Sequence, residues 1–142
     1  MLGWAEMSRV QPRTYEVGEA NAVLPEVRRL VERVVELGAA LPDLEDRARI
    51  AQYRRSRPDP SDADRAEHDR SREDLRQAEV DLAGALTALE GLGIQLKDMR
   101  VGLVDFLSYR EGELVELCWK LGEDRVAFWH RIGEGFAGRQ PL

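Results

Sequence analysis

Apolar residues recur along the first part of the chain at Ala20, Leu24, Val27, Val31 and Val34, with Leu41 one heptad further on. Alternating steps of four and three place them in one narrow stripe on an α-helix, close to a coiled-coil seam. The spacing therefore predicts a helix from about Glu19. With Asn21 as the N-cap, Pro25 falls in the first turn, where a missing N–H costs no intrahelical bond. Pro42 lies inside the pattern, and its ring presses on the carbonyl of Gly38, so a kink or break is expected there. The stripe resumes at Leu44, Ala48 and Ala51, and RRSRPDPS (Arg54 to Ser61), with two prolines, is a loop.

Ser61 with Asp64 three residues on has the form of a capping box and starts a second helix. Leu75, Ala78, Leu82, Ala85, Leu89 and Leu92 repeat the stripe, and Gly93 ends it as a C′ residue. Thirty or so helical residues span on the order of 45 Å, longer than a compact domain of this size. Two such helices joined by a short loop form an antiparallel hairpin whose far end must protrude or meet another copy, and a homodimer is the expectation.

After Gly93 the period changes to two. Val104 and Phe106 alternate with Asp105, and Val115, Leu117, Trp119 and Leu121 alternate with Glu116, Cys118 and Lys120, so both segments read as half-buried strands. A two-residue turn at Glu111-Gly112 sets Phe106 opposite Leu117 and Asp105 opposite Cys118. A third strand is expected over Arg125 to Arg131 after the turn at Gly122-Glu123-Asp124, in a register open to a one-residue slip that would reverse His130. Ile94-Gln95-Leu96 and Thr14-Tyr15-Glu16 are candidates for further short strands. The whole reads as α+β in one domain. It comprises an irregular arm over residues 1–13, a helical hairpin over 19–92 kinked near Pro42, a small antiparallel β-sheet of three or four strands over 93–132, and a Gly-rich tail over 133–142.

Composition fits that outline. Charged residues make up 34% of the 142-residue chain, which suits long solvated helices, and the net charge of -6 argues against general nucleic-acid affinity. Ser61 to Leu92 holds nine acids against four arginines, so the second helix carries an acidic face, readable as a docking surface for a basic protein partner or as an ordinary solvated face. Five arginines lie between Arg47 and Arg57, but arginine outnumbers lysine nineteen to two along the whole chain, and no nucleic-acid module accompanies them. A lone cysteine, Cys118, suits a reducing compartment. No apolar run is long enough for a membrane span, and MLGWAEMSRVQPR lacks the apolar core of a signal peptide, so a cytoplasmic location is expected.

EANAVLPEV (Glu19 to Val27), GLVDF (Gly102 to Phe106), LCWKLGE (Leu117 to Glu123) and FWH followed by GFAGRQPL resemble an uncharacterised bacterial family, domain of unknown function 2203. The resemblance runs from about Tyr15 to Leu142. It implies no activity and carries no catalytic residue. Leu107 stands where the family pattern usually has proline after the DF pair, so the tight turn implied there is not expected in this chain.

GEGFAG (Gly133 to Gly138) matches G-x-G-x-x-G, but only four residues follow it, so the helix that would carry a pyrophosphate is missing. The chain has two histidines, no C-x-x-C and no H-E-x-x-H, and strong zinc signatures are absent. His68 is expected in solvent on the acidic helix. His130 is followed by Glu134, with Asp105, Cys118 and Glu123 on neighbouring strands or turns; these read either as a mixed His/carboxylate site or as a histidine satisfied by one partner at the sheet edge. Cys118, in an apolar run, reads as an inert small hydrophobe. Trp119, Phe128 and Trp129 concentrate aromatic surface in the sheet, and three consecutive large residues, Phe128, Trp129 and His130, cannot all face inward. The tail offers Phe136, expected as a plug in the hydrophobic base, and Arg139, a forked donor for an acid or an anion.

Candidate ligand-binding residues are thus Asp105, Trp119, Glu123, Trp129, His130, Phe136 and Arg139, with His130 and Glu134 the weak metal candidates. No cofactor or catalytic residue is assigned. The sequence points to a cytosolic interaction or ligand-binding module that self-associates through its hairpin. The alternative is a metal-binding protein or enzyme with a His/carboxylate site at the sheet and tail.

Overall fold

A computed structural model describes residues 12–142; of the arm expected over residues 1–13, all but Pro12 and Arg13 lie outside the described residues. Helix α1 spans Val17–Ser56 and α2 spans Asp62–Gly91, followed by strands β1 (Ile94–Asp98), β2 (Leu103–Arg110), β3 (Glu113–Lys120), β4 (Phe128–Arg131) and β5 (Gln140–Pro141), with a 3-10 turn at Phe136–Gly138 before the last.

Helix α1 begins earlier than its apolar stripe suggests. Its N-cap is Glu16, whose N–H donates to the Glu19 carboxylate at 2.9 Å, so Asn21 lies inside the helix and is no cap. Pro25 and Pro42 are both interior positions, and the 40-residue helix is not broken at Pro42. Both prolines are exposed, and the helix runs on through each with one hydrogen bond fewer. The second helix starts as the sequence predicts: Ser61 Oγ accepts the Asp64 N–H at 3.0 Å, and Asp64 accepts the Ser61 N–H at 3.0 Å. Its end is marked by Gly93 at φ 75°.

The predicted seam is the core. Ala20, Leu24, Val27, Val31 and Val34 of α1 and Leu82, Ala85 and Leu89 of α2 are buried together with Ile94, Val104, Phe106, Leu117, Trp119 and Trp129 of the sheet. Each fully buried Val or Leu contributes about 1.5–3 kcal/mol. The β1–β2 turn lies tight against α1 at Gly102, where a Cβ would lie 2.8 Å from both Val31 and Leu121. Further along α1, Gly38 still meets Met99. The length beyond it, about 25 Å of helix, runs alongside α2, tied by Arg47 to Glu67 and Asp74 at 2.6 Å each. The acidic face of α2 is largely matched by arginines: Glu67 also meets Arg70, Glu73 meets Arg76, and Asp81 meets Arg33.

The sheet is an antiparallel meander of five strands in the order β1-β2-β3-β4-β5, one or two more than the sequence suggests. The expected register holds, with Phe106 opposite Leu117 and Asp105 opposite Cys118. Glu111 (φ 52°) and Gly112 (φ 79°) make the turn between β2 and β3. Leu107 sits mid-strand in β2, so no tight turn follows Asp105-Phe106. The extra strand is the chain end, whose Gln140 and Pro141 pair with Trp129 and Phe128. Tyr15 adds no strand; it is buried against Phe106 and its N–H donates to Leu107 O at 2.7 Å.

The third predicted strand is shorter than Arg125 to Arg131. Both backbone groups of Val126 are taken by a side chain from α1: its N–H donates to Asn21 Oδ1 at 2.8 Å, and its carbonyl accepts Asn21 Nδ2 at 3.2 Å. Pairing with β3 therefore starts only at Phe128.

Candidate functional site

One sheet face packs on the helices; the alternate residues, Asp105 of β2, Glu116 and Cys118 of β3 and His130 of β4, point to the other. That outer face would ordinarily be wet, yet Asp105, Glu116 and His130 are only 2%, 6% and 1% exposed. The tail buries them. After β4 it turns through Gly133 and Gly135, both at positive φ, and brings Phe136 over the face. A pocket of about 170 Å³ remains, floored by Asp105, Glu116 and His130, walled by Lys97 and Leu103, and roofed by Gly133, Gly135 and Phe136.

Pairing sets these positions. Opposite Cys118 stands Asp105, and opposite Glu116 stands His130, which resolves the slip left open by the sequence and turns His130 to the outer face. Lys97 is the extra residue of a bulge between Leu96 and Asp98, and its Nζ lies 3.8 Å from Glu116 Oε2. Such bulges re-aim a side chain at the cost of one ladder step.

His130 Nδ1 lies 2.8 Å from Arg131 O, which can only accept, so Nδ1 carries the proton. Its Nε2 faces Asp105 Oδ1 at 3.1 Å. Burial disfavours the imidazolium, but the Arg131 carbonyl, the hydrogen bond to Asp105 and the Asp105 and Glu116 charges outweigh it, and the His130 pKa is raised. The Glu116 pKa is raised too, first by burial and then by the neighbouring Asp105 charge, with Lys97 pulling the other way. Burial, reinforced by Asp105, pushes the Cys118 thiol up to about 12. Asp105 is thus the hub: it hydrogen-bonds His130, lies within 4.8 Å of the Cys118 sulfur, and raises the pKa of both Glu116 and Cys118.

Of the residues singled out from sequence, Asp105, His130 and Phe136 share this pocket, and four do not. Trp119 and Trp129 face the helices as core. Glu123 is occupied elsewhere, accepting the Lys120 N–H at 2.7 Å and Arg139 Nη2 at 2.7 and 2.8 Å. Arg139 lies between the rings of Phe128 and Phe136, 4.0 and 4.7 Å from their centroids, so it is a paired strut and not a free anion donor. Phe136 is no plug in the hydrophobic base; it is 47% exposed and covers the outer face instead. Glu134 pairs with Arg131 and stands outside the cluster. His68 is partly shielded on α2 beside Asp69.

Glu116 and Lys97 are the pocket residues that sequence reasoning missed. The alternation of β3 did put Glu116 on the Cys118 face, but only the β4 register sets it against His130. No sequence signal marks the bulge at Lys97.

Larger hollows exist, about 430 Å³ along the exposed side of α2 and about 450 Å³ between the start of α1 and the chain end. Neither gathers buried ionisable groups.

Fold and site together define a two-layer α+β protein, a helical hairpin backing a β-meander whose free face holds a tail-covered ionisable pocket. The family model described as "Uncharacterized conserved protein (DUF2203)" matches residues 13–142, and the chain belongs to that family. No curated protein and no solved structure matches. No helix among the described residues is long and apolar enough to cross a membrane.

Proposed function

We propose that this is a ligand-binding module whose site is the outer-face pocket, with the helical hairpin as scaffold. The observation that carries the reading is the convergence of Asp105, Glu116 and His130 from three strands, all buried, onto the floor of one pocket. Burying two carboxyls and an imidazole is costly, and the cluster does nothing for the core on the far side of the sheet. Groups perturbed by burial and by a specific charged partner in a cleft are candidates for a binding or chemical site. About 170 Å³ corresponds to five or six waters at ~30 Å³ each, so the ligand is compact and polar, with donors for the carboxyls and an apolar edge for Phe136.

Titrating isotope-labelled protein with a set of small polar molecules tests this by NMR. Saturable shifts at Gly133, Gly135, Phe136 and His130, weakened in Glu116→Gln, are expected. Saturable shifts confined to other surfaces, or none, would retire the reading.

Self-association through the hairpin is a second component, favoured by Ile50 and Tyr53. These lie one turn apart on the projecting part of α1 and are 53% and 69% exposed. Light scattering across the micromolar range is the check: a dimer that dissociates in Tyr53→Lys supports it, and a monomer throughout removes it.

A further inference from the structure

We propose that the outer-face cluster is a transition-metal site of the zinc class, with Asp105, Cys118 and His130 as protein ligands and a fourth position opening into the pocket beside Glu116; this deepens the ligand-binding reading and rests on it. A carboxylate oxygen of Asp105, Sγ of Cys118 and a ring nitrogen of His130 all lie within 4.8 Å of one another, and all three residues are buried. The Asp105 and His130 atoms, at 3.1 Å, already stand at the separation of two ligands on one metal. With metal–ligand bonds of about 2.0 Å to oxygen or nitrogen and about 2.3 Å to sulfur, side-chain rotation closes the remainder.

His130 is prepared as such a ligand. Its Nδ1–H is held by the Arg131 carbonyl at 2.8 Å, which fixes the ring and directs Nε2 at the cluster. Metal-bound histidines are oriented in the same way, with the second ring nitrogen donating to a carbonyl or carboxylate. The Asp105 carboxylate lies within reach of both other ligand atoms, hydrogen-bonded to His130 and within 4.8 Å of the Cys118 sulfur, so one cation can meet all three. Binding exchanges the Cys118 thiol proton, and any proton on His130 Nε2, for the cation, and what is displaced leaves to buffer. No oxidation or group transfer is involved.

The donor set selects the metal. One thiolate, one imidazole and one carboxylate suit zinc, cobalt(II) or iron(II) and do not suit magnesium or calcium, which take all-oxygen shells. Three protein ligands with an open position facing a cavity is the arrangement of zinc sites that act on a bound molecule. Glu116 lines that cavity and is placed to accept a hydrogen bond from whatever fills the open position.

Cobalt(II) titrated into tag-free, chelator-treated protein is the test. One equivalent is expected to bind with a thiolate-to-cobalt charge-transfer band, which Cys118, the sole cysteine, must supply. Zinc should bleach the band. His130→Ala and Cys118→Ser should lose it, with circular dichroism confirming their folds, while His68→Ala should keep it. Wild-type protein that gives no such band, or magnesium binding as tightly as zinc, overturns the metal site. Small-molecule shifts at Gly133, Gly135 and Phe136 that persist in the chelator-treated protein would then leave the ligand-binding reading standing while the metal falls.

Discussion

Asn21 and Val126, 105 residues apart, exchange two hydrogen bonds: the Asn21 side chain accepts from and donates to the backbone of Val126. One α1 side chain thereby stands in for a missing strand partner, so β4 enters the sheet only at Phe128. Asn21→Leu keeps the branching of the side chain and leaves both Val126 groups without their partner. A loss of about 1–3 kcal/mol in chemical denaturation is expected, together with faster amide exchange at Val126. An unchanged midpoint would mean that water substitutes for the amide without cost.

Gly102 and Gly84 should respond oppositely to alanine. Gly102 has φ +73° and its Cβ would lie 2.8 Å from Val31 and Leu121, so Gly102→Ala combines backbone strain with overpacking. A destabilisation of about 2–4 kcal/mol is expected. Gly84 is in mid-helix with nothing within 4 Å of a Cβ. Its replacement should raise stability by about 0.5–1 kcal/mol. Thermal unfolding of both variants reads the two signs side by side.

The far end of the hairpin carries ion pairs between the helices, from Arg47 to Glu67 and Asp74, and that end should loosen in acid. The cap hydrogen bonds with Ser61 lower the Asp64 pKa, and the hydrogen bond from Arg47 lowers that of Glu67. A carboxylate lowered by folding contributes its stability above its unfolded pKa and loses it as pH falls through the folded value. These contributions are therefore complete above about pH 5 and lost below the ordinary values of 3.8 and 4.5. Hydrogen exchange, corrected for intrinsic rate, should show protection around Arg47 and Glu67 falling at pH 3 while Val31 and Leu82 stay protected. Arg47→Met should reproduce the loosening at neutral pH.

The helical seam was legible because Val27, Val31, Val34, Leu82 and Leu89 repeat at helical spacing and have a single face to hide. Residues Glu111-Gly112 fixed the β2–β3 register for a similar reason, since a two-residue turn allows one pairing and a slip would expose Phe106. The start of α1 was misplaced because an asparagine side chain can cap a helix or bond a distant backbone, and only tertiary structure decides. At Pro42 the pattern leaves a kink and a break open, because an interior proline removes one hydrogen bond without dictating whether the helix continues; here it continues. The pocket was half legible: Asp105 and His130 stood out as chemistry-bearing residues, whereas Lys97 needed a bulge and Glu116 needed the β4 register. Trp119, Trp129, Glu123 and Arg139 drew attention by residue type, yet their partners are core side chains and one another.

That the outer-face cluster is kept for binding, against the interest of stability, is tested most directly by the unfolding free energy of the triple variant Asp105→Leu, Glu116→Leu, His130→Leu. Replacing a whole buried ionic group by apolar residues is commonly neutral or stabilising by about 1–4 kcal/mol, whereas removing one member alone is destabilising. The account predicts a triple variant at least as stable as the wild type and blind to small polar ligands at Gly133 and Gly135. A triple variant less stable by more than about 3 kcal/mol would make the cluster a structural keystone and contradict it.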